Sequence, residues 1–187
     1  RKQVNPIETI EANLVLPLRL LHASSETNVS AFINTDTILD KRINHYSLSK
    51  SQFVEWLRYY SNDYVVINLA IEHFYGANDD VSKFASFIIS ELINNEKKGI
   101  DLTEGLQKRD FIHINDVTEA FLILINNIPS LKKDFYHFEV GSNELISIRD
   151  FVTLVKKLCN NTNTSLNFGT LPYRNNEVMS TNVDTSF

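Results

Sequence analysis

A β-branched, apolar run from Tyr64 to Leu69 lies between two stretches of helical periodicity, and this alternation constrains the fold more than any other feature of the chain. Before it, Tyr46 to about Tyr60 reads as helix; after it, a helix from about Ser82 carries Phe84, Ile88 and Leu92 on one face. The same alternation runs through the rest of the chain. Ile7, Ile10, Leu14, Leu18 and Leu21 repeat at helical spacing, with Pro17 placed to kink that helix. Ser30 to Asn34 reads as a short strand running into Thr35-Asp36-Thr37. Val117, Ala120, Phe121, Leu124 and Ile125 fit one helix face, with Asp116 at its amino-terminal end as a helix cap. Phe135 to Val140 alternates and stops at Gly141, and Ser147-Ile148-Arg149-Asp150 reads as a capping box opening a helix to Cys159. Strands alternating with helices predict an α/β fold with a mainly parallel sheet. No internal repeat or low-complexity linker interrupts it.

Composition bounds the function. The 187 residues are 43% apolar, enough for the core of one domain or of one lobe of a larger protein, and this excludes disorder of the whole. Only five glycines occur where average usage gives roughly thirteen, none before Gly76, so a G-x-G-x-x-G or G-x-x-x-x-G-K-[ST] phosphate loop is absent from these residues. A net charge of -5, with basic residues in nothing longer than pairs such as Lys97-Lys98, offers no footprint for nucleic acid or an anionic membrane. The longest apolar runs, such as Ala120 to Ile125, are far short of a membrane span. A lone Cys159 makes no internal disulfide, and the N-x-S/T triplets at Asn28, Asn160 and Asn163 lack a secretory context. The expectation is a cytoplasmic globular protein. His45, His113 and His137 have no partners at metal-ligand spacing, and Cys159 has no catalytic histidine nearby in sequence; neither metal nor thiol chemistry is expected.

The first chemical candidate is Tyr46-Ser47-Leu48-Ser49-Lys50. At i and i+4 on a helix the phenol and the ammonium share a face, so the lysine can lower the tyrosine pKa and donate hydrogen bonds beside it. That equips a general acid/base at a carbinol or carbonyl carbon. Taken alone, the spacing is a weak signal, and a surface Tyr/Lys pair on an amphipathic helix is the favoured account.

The order of motifs separates the two. Thr35-Asp36-Thr37 follows a strand, Tyr46-x-x-x-Lys50 lies on a helix, and the next strand leads to Glu72-His73-Phe74-Tyr75-Gly76. Later come Gly105-Leu106-Gln107-Lys108-Arg109-Asp110-Phe111-Ile112 through Asp116-Val117, then Gly169-Thr170-Leu171-Pro172-Tyr173-Arg174-Asn175-Asn176-Glu177. In this order the motifs resemble the extended short-chain dehydrogenase/reductase family, in its NAD(P)-dependent nucleotide-sugar epimerase/dehydratase branch. The Leu-Pro-Tyr-Arg-x-x-Glu ending looks most like the 4-keto-sugar reductases of the CDP-abequose synthase type, which serve surface-polysaccharide synthesis.

The resemblance implies a partial Rossmann-like, doubly wound parallel sheet with a smaller α/β substrate-binding lobe. Residues 1–70 and 111–128 would be the remainder of the dinucleotide-binding domain, and 71–110 with 129–187 the substrate-binding lobe. It implies NAD or NADP as cofactor, a nucleotide-sugar substrate and a homodimer of the intact protein. Tyr46 would be the catalytic acid/base, and Lys50 would hold the nicotinamide ribose. Thr35 falls where the family places a hydroxyl on the sugar C4 oxygen. Asp36 matches the first residue of the Asp-Glu pair of sugar 4,6-dehydratases, but Thr37 stands where their Glu would be. Elimination of water needs that second carboxylate, so hydride transfer or epimerisation is expected over dehydration. Plain turn chemistry after a strand also accounts for Thr35 and Asp36.

Arg109 and Arg174 resemble the two arginines that grip the nucleotide diphosphate, a task suited to the planar guanidinium fork. An ion pair of Arg109 with Asp110 or Asp116, and of Arg174 with Glu177, are the alternatives. His73 takes a slot where relatives often carry a diphosphate-contacting asparagine, and would touch cofactor and substrate; a packed, structurally satisfied histidine fits as well. Lys83 is either near the nucleotide or an exposed first-turn lysine, and Phe84, Phe87 and Phe111 read as core.

The family's Gly-rich strand-loop-helix unit has no counterpart in these residues, and relatives continue beyond Val183-Asp184-Thr185-Ser186-Phe187. The chain is therefore expected to be the middle and later part of a larger protein. Two functions remain open at this point: hydride transfer at C4 of a nucleotide-linked sugar, or a sensor of the same fold that binds such a ligand without turnover.

Overall fold

The computed structural model describes residues 5–94, 96 and 98–181; Lys97 and Val183–Phe187 lie outside the described residues. In chain order the elements are α1 (Pro6–Ile10), a π-helical turn (Glu11–Val15), α2 (Leu16–Ser25), β1 (Ala31–Thr37), α3 (His45–Tyr60), β2 (Val65–Ile71) and β3 (His73–Tyr75). They continue with α4 (Phe84–Asn94), β4 (Gly99–Leu102), β5 (Lys108–His113), α5 (Ile114–Asn127), β6 (Phe135–Val140), β7 (Leu145–Ser147), α6 (Ile148–Leu158) and β8 (Ser165–Phe168). The expected α/β alternation with parallel strands is present. The chain divides into two units, one of residues up to Glu72 with Val117–Val140, the other of His73–Asp116 with Gly141–Asn182.

In the first unit the helical stretch expected at Ile7–Leu21 runs on without a break, and it accommodates Pro17 by widening into the π-helical turn just before it. β1, β2 and β6 form a parallel sheet in the order β1-β2-β6. β2 is central, and all seven of its residues are buried, which is why it reads as a near-continuous apolar run. Pairing with β2 carries β1 on to Thr37, past the Asn34 end expected from sequence. Leu21, Phe53, Leu57, Tyr64 and Val66 make the core, with Phe32 and Phe135 packed against it. Because side chains alternate, Phe32, Val66 and Phe135 form one row across a single sheet face.

In the second unit β3 pairs parallel and β7 antiparallel with β5, while β4 and β8 form a separate parallel pair. Ile88, Leu92, Ile148, Phe151, Val152 and Val155 of α4 and α6 supply much of its core. Phe111 stacks on Phe151 at 4.1 Å, and Phe84 and Phe87 pack on the same cluster, so the aromatic stripe is core as expected. The capping box of α6 is present: Asp150 N–H donates to Ser147 Oγ at 3.0 Å, and the Ser147 hydroxyl donates to Asp150 Oδ2 at 2.6 Å. Gly105 precedes β5 at φ +73°, and a Cβ there would lie 2.9 Å from the Arg149 backbone nitrogen, so the turn requires glycine.

The compact units are bounded differently from the division expected from sequence. Residues 71–72 and 129–140 lie in the first unit, where β6 hydrogen-bonds to β2. Residues 111–116 lie in the second, where Phe111, Ile112 and His113 pair with β3.

Candidate active site

In the first unit, α3 sets the geometry. Asn44 caps it, its Oδ1 accepting from Ser47 N–H at 2.9 Å, and the fully buried Ser47 and Ser49 let the helix start lie close to its surroundings. Ser47 donates to the Asp40 carbonyl at 2.9 Å, and Ser49 Oγ accepts from Asn13 Nδ2 at 3.3 Å. Phe53 and Leu57 then anchor the later turns of α3 in the core. Seven residues of helix span about 10 Å, roughly three residues of strand. The face that buries Phe53 beside Phe32 therefore brings Lys50 and Tyr46 to the carboxyl end of β1.

Lys50 Nζ donates to the Thr35 carbonyl at 2.7 Å. Burial pushes the ammonium below its ordinary pKa, and the Asp36 carboxylate opposes that shift. Tyr46 is 42% exposed. Burial of its phenol, with the Asp36 charge adding to it, pushes the tyrosine above its ordinary pKa. The tyrosine pKa is thus shifted up rather than down as expected from Lys50: the ammonium gives one donor to a backbone carbonyl, while burial and the Asp36 charge raise the phenol. Thr35, Asp36, Tyr46 and Lys50 are nonetheless brought together in one unit.

Asp36 is itself held. Its Oδ1 accepts from Thr37 N–H at 2.7 Å and its Oδ2 from Asn68 Nδ2 at 2.9 Å. Thr37 Oγ1 accepts from Leu39 N–H at 3.3 Å, turn chemistry in which the hydroxyl has no carboxylate role. Asn34, Asn68 and His137, in register on β1, β2 and β6, form a polar row beside the apolar one, and sequence reasoning missed it. Asn68, fully buried within an otherwise apolar run, was the available signal.

In the second unit, Arg109 pairs with neither Asp110 nor Asp116. Its Nη2 donates to Glu177 Oε1 at 2.6 Å, and its Nη1 donates to the Val178 and Lys108 carbonyls, each at 2.7 Å. The Arg109 and Glu177 side chains are only 12% and 14% exposed. Lys108 N–H donates to the Met179 carbonyl at 2.8 Å, so the segment near Glu177 lies along the start of β5. Glu177 therefore serves Arg109 rather than Arg174, which is exposed three residues earlier. Asp110 instead accepts from Ser142 N–H, Ser142 Oγ–H and Asn143 N–H, holding the turn before β7. His73 lies half-buried on β3 with its ring edge-on to Phe111, centroids 6.0 Å apart. Lys83 pairs with Asp79 at 2.8 Å and lies over the Phe74 ring.

The model of the NAD dependent epimerase/dehydratase family matches residues 1–141. This chain belongs to that family. Among its relatives, the CDP-abequose synthase of Salmonella muenchen is 33% identical over 189 residues, covering 96% of this chain and 63% of the relative. That of Yersinia pseudotuberculosis is 28% identical, covering 92% of this chain and 62% of the relative. The chain thus spans somewhat under two thirds of the relatives' length. Solved epimerase/dehydratase structures share the fold at low identity. The UDP-glucose 4-epimerase of Thermotoga maritima, with UDP-glucose, superposes with a TM-score of 0.83 at 18% identity, covering 97% of this chain and 63% of that one. The UDP-glucose 4-epimerase of Thermus thermophilus, a complex with NAD, gives 0.76 at 18% identity, covering 94% and 62%. As a family member the chain fits the resemblance and fold expected from its motif order.

Proposed function

We propose that this chain carries the acid/base and substrate-anchoring residues of an NAD(P)-dependent enzyme that transfers hydride at C4 of a nucleotide-linked deoxysugar. The observation that carries this reading is the grouping of Tyr46, Lys50, Thr35 and Asp36 at the carboxyl end of a parallel strand, the edge at which open α/β sheets take their ligands. The names of the relatives favour a CDP-linked sugar.

The residues present fit part of a nicotinamide dinucleotide. Lys50 has donors beyond the one given to Thr35, and these suit ribose hydroxyls, as the family resemblance assigns. The Gly-rich cradle for the pyrophosphate is not among these residues. When bound, the coenzyme supplies or accepts the hydride. The protein's own work is proton transfer and positioning. Tyr46, kept protonated by burial and by Asp36, donates its proton to the C4 oxygen as that oxygen gains charge. Asp36 also favours the charged form of Lys50, and Thr35 offers a hydroxyl to the same oxygen. Thr37 supplies no second carboxylate for elimination, which supports reduction or epimerisation over dehydration.

Arg109 and Arg174 would anchor the diphosphate far from the reacting carbon, turning its binding energy into orientation. With its Nη1 and Nη2 engaged, Arg109 meets the diphosphate by trading contacts with Glu177 and Val178. His73 would add a donor near both ligands. The test is Tyr46→Phe in the intact protein: turnover of a 4-keto-sugar nucleotide should fall about a hundredfold or more, and full turnover would overturn the proposal.

A further inference from the structure

Asn68 stands at the middle of the central strand with none of its surface exposed, and every amide atom is used. Its Oδ1 accepts from Asn34 Nδ2 at 2.7 Å, and its Nδ2 donates to Asp36 Oδ2 at 2.9 Å and meets His137 Nδ1 at 3.0 Å. The carboxylate decides the orientation of the whole row. A carboxylate only accepts, so the Asn68 amide must turn its NH2 to Asp36 and its oxygen to Asn34. The second N–H then requires an acceptor at His137 Nδ1, which puts the imidazole proton on Nε2, facing Glu139 Oε1 at 3.6 Å.

The placement of the row along the strands matters too. On one sheet face the apolar rung Phe32–Val66–Phe135 is followed by Asn34–Asn68–His137 and then by Asp36–Ala70–Glu139. The small Ala70 leaves space beside Asp36, and the diagonal bond from Asn68 crosses to it. Burying a polar residue in the centre of a sheet is unfavourable unless it is fully paired, and a fully paired network rigidifies what it touches. What this one touches is the carboxylate whose charge acts on both Tyr46 and Lys50.

We propose that Asn68 is a positioning residue: held by Asn34 and His137, it clamps the Asp36 carboxylate at the carboxyl end of β1 so that its charge stays directed at Tyr46 and Lys50. The clamp rests on the acid/base reading of Tyr46 for its purpose, though its geometry does not. Without Asn68 the carboxylate loses the bond on Oδ2 and keeps only that from Thr37 N–H on Oδ1, so its direction is no longer fixed.

The test is a tyrosinate absorbance titration of the intact protein without coenzyme or substrate, with the Tyr46→Phe titration subtracted in each background. Asp36→Asn should lower the Tyr46 midpoint, because it removes the charge that favours the neutral phenol. Asn68→Leu, apolar and of similar volume, should lower it in the same sense, and the double variant should shift no further than Asp36→Asn alone. In the active protein Asn68→Leu should lower kcat with KM for the sugar nucleotide unchanged. A folded Asn68→Leu protein with an unmoved midpoint would overturn the clamp, as would a shift that persists in full in the Asp36→Asn background. Should Asn68→Leu fail to fold, His137→Leu, at a side chain 41% exposed, frees one end of the row and should give a smaller downward shift; no shift there also overturns it. Full turnover in Tyr46→Phe would refute the acid/base reading alone, whereas these titration outcomes decide the clamp alone.

Discussion

Replacing Asp110 by asparagine removes one charge and one acceptor from a side chain 1% exposed, and the structure sets the cost. The carboxylate accepts from Ser142 N–H at 2.9 Å and Ser142 Oγ–H at 2.6 Å on one oxygen, and from Asn143 N–H at 2.8 Å on the other. An asparagine can keep its oxygen toward Ser142, but its NH2 then faces the Asn143 N–H, donor against donor. One charge-assisted bond is lost, at about 1.5–3 kcal/mol, and a donor is left unpaired, at about 1–3 kcal/mol, with some relief from no longer burying a charge. The net loss should be about 3 kcal/mol, a fall in Tm of roughly 6–12 °C for a protein of this size. Urea and thermal denaturation of the intact protein measure it. Ser142→Ala removes the hydroxyl bond alone and should cost about 1 kcal/mol, and the two variants should not add, because they share one carboxylate. An Asp110→Asn protein within about 0.5 kcal/mol of its parent would refute this account of the turn and restore Asp110 as a candidate partner of Arg109.

Two other perturbations are informative. Glu177→Gln keeps an oxygen for Arg109 but removes the competing charge, so calorimetry with CDP should show about tenfold tighter binding, the equivalent of about 1.4 kcal/mol; unchanged affinity would mean that Arg109 does not trade Glu177 for a diphosphate. Tyr64, buried with its hydroxyl donating to the Leu21 carbonyl at 3.1 Å, is pushed up to about 12 by burial, with Tyr60 and Asp63 adding to the rise. Because the folded protein holds this proton more tightly than the unfolded chain, stability is full below the ordinary tyrosine pKa and is lost as pH rises from about 10 toward 12. Alkaline denaturation should therefore be shallower in Tyr64→Phe than in the parent over that window, relative to each protein at neutral pH.

What was legible in the sequence was what local chemistry determines. The capping box at Ser147 and Asp150, the helix over Val117–Ile125 and the strand at Phe135–Val140 depend on residues within a few positions of one another, and all three are present. The pairing of β6 with β2 was not legible, because alternation identifies a strand without naming its neighbour. The short strands β4 and β8 are fixed by each other across more than sixty residues of chain, with too few residues for a pattern of their own.

The candidate site divides along the same line. Tyr46 and Lys50 are one helical turn apart, and their shared face could be read directly; the charge that governs them could not. Asp36 acts on the pair through the register of three strands, and Asn34, Asn68 and His137 each read separately as ordinary polar residues. Glu177 lies within one turn of Arg174, and proximity in sequence favoured that pairing, yet the fold returns the segment to β5 and gives the carboxylate to Arg109. In both cases the acid was visible and its partner was not. A guanidinium or ammonium at such a site takes its pairing from strand register, so a polar residue that interrupts a buried apolar strand, as Asn68 does, is the place to look for the partner that spacing alone does not reveal.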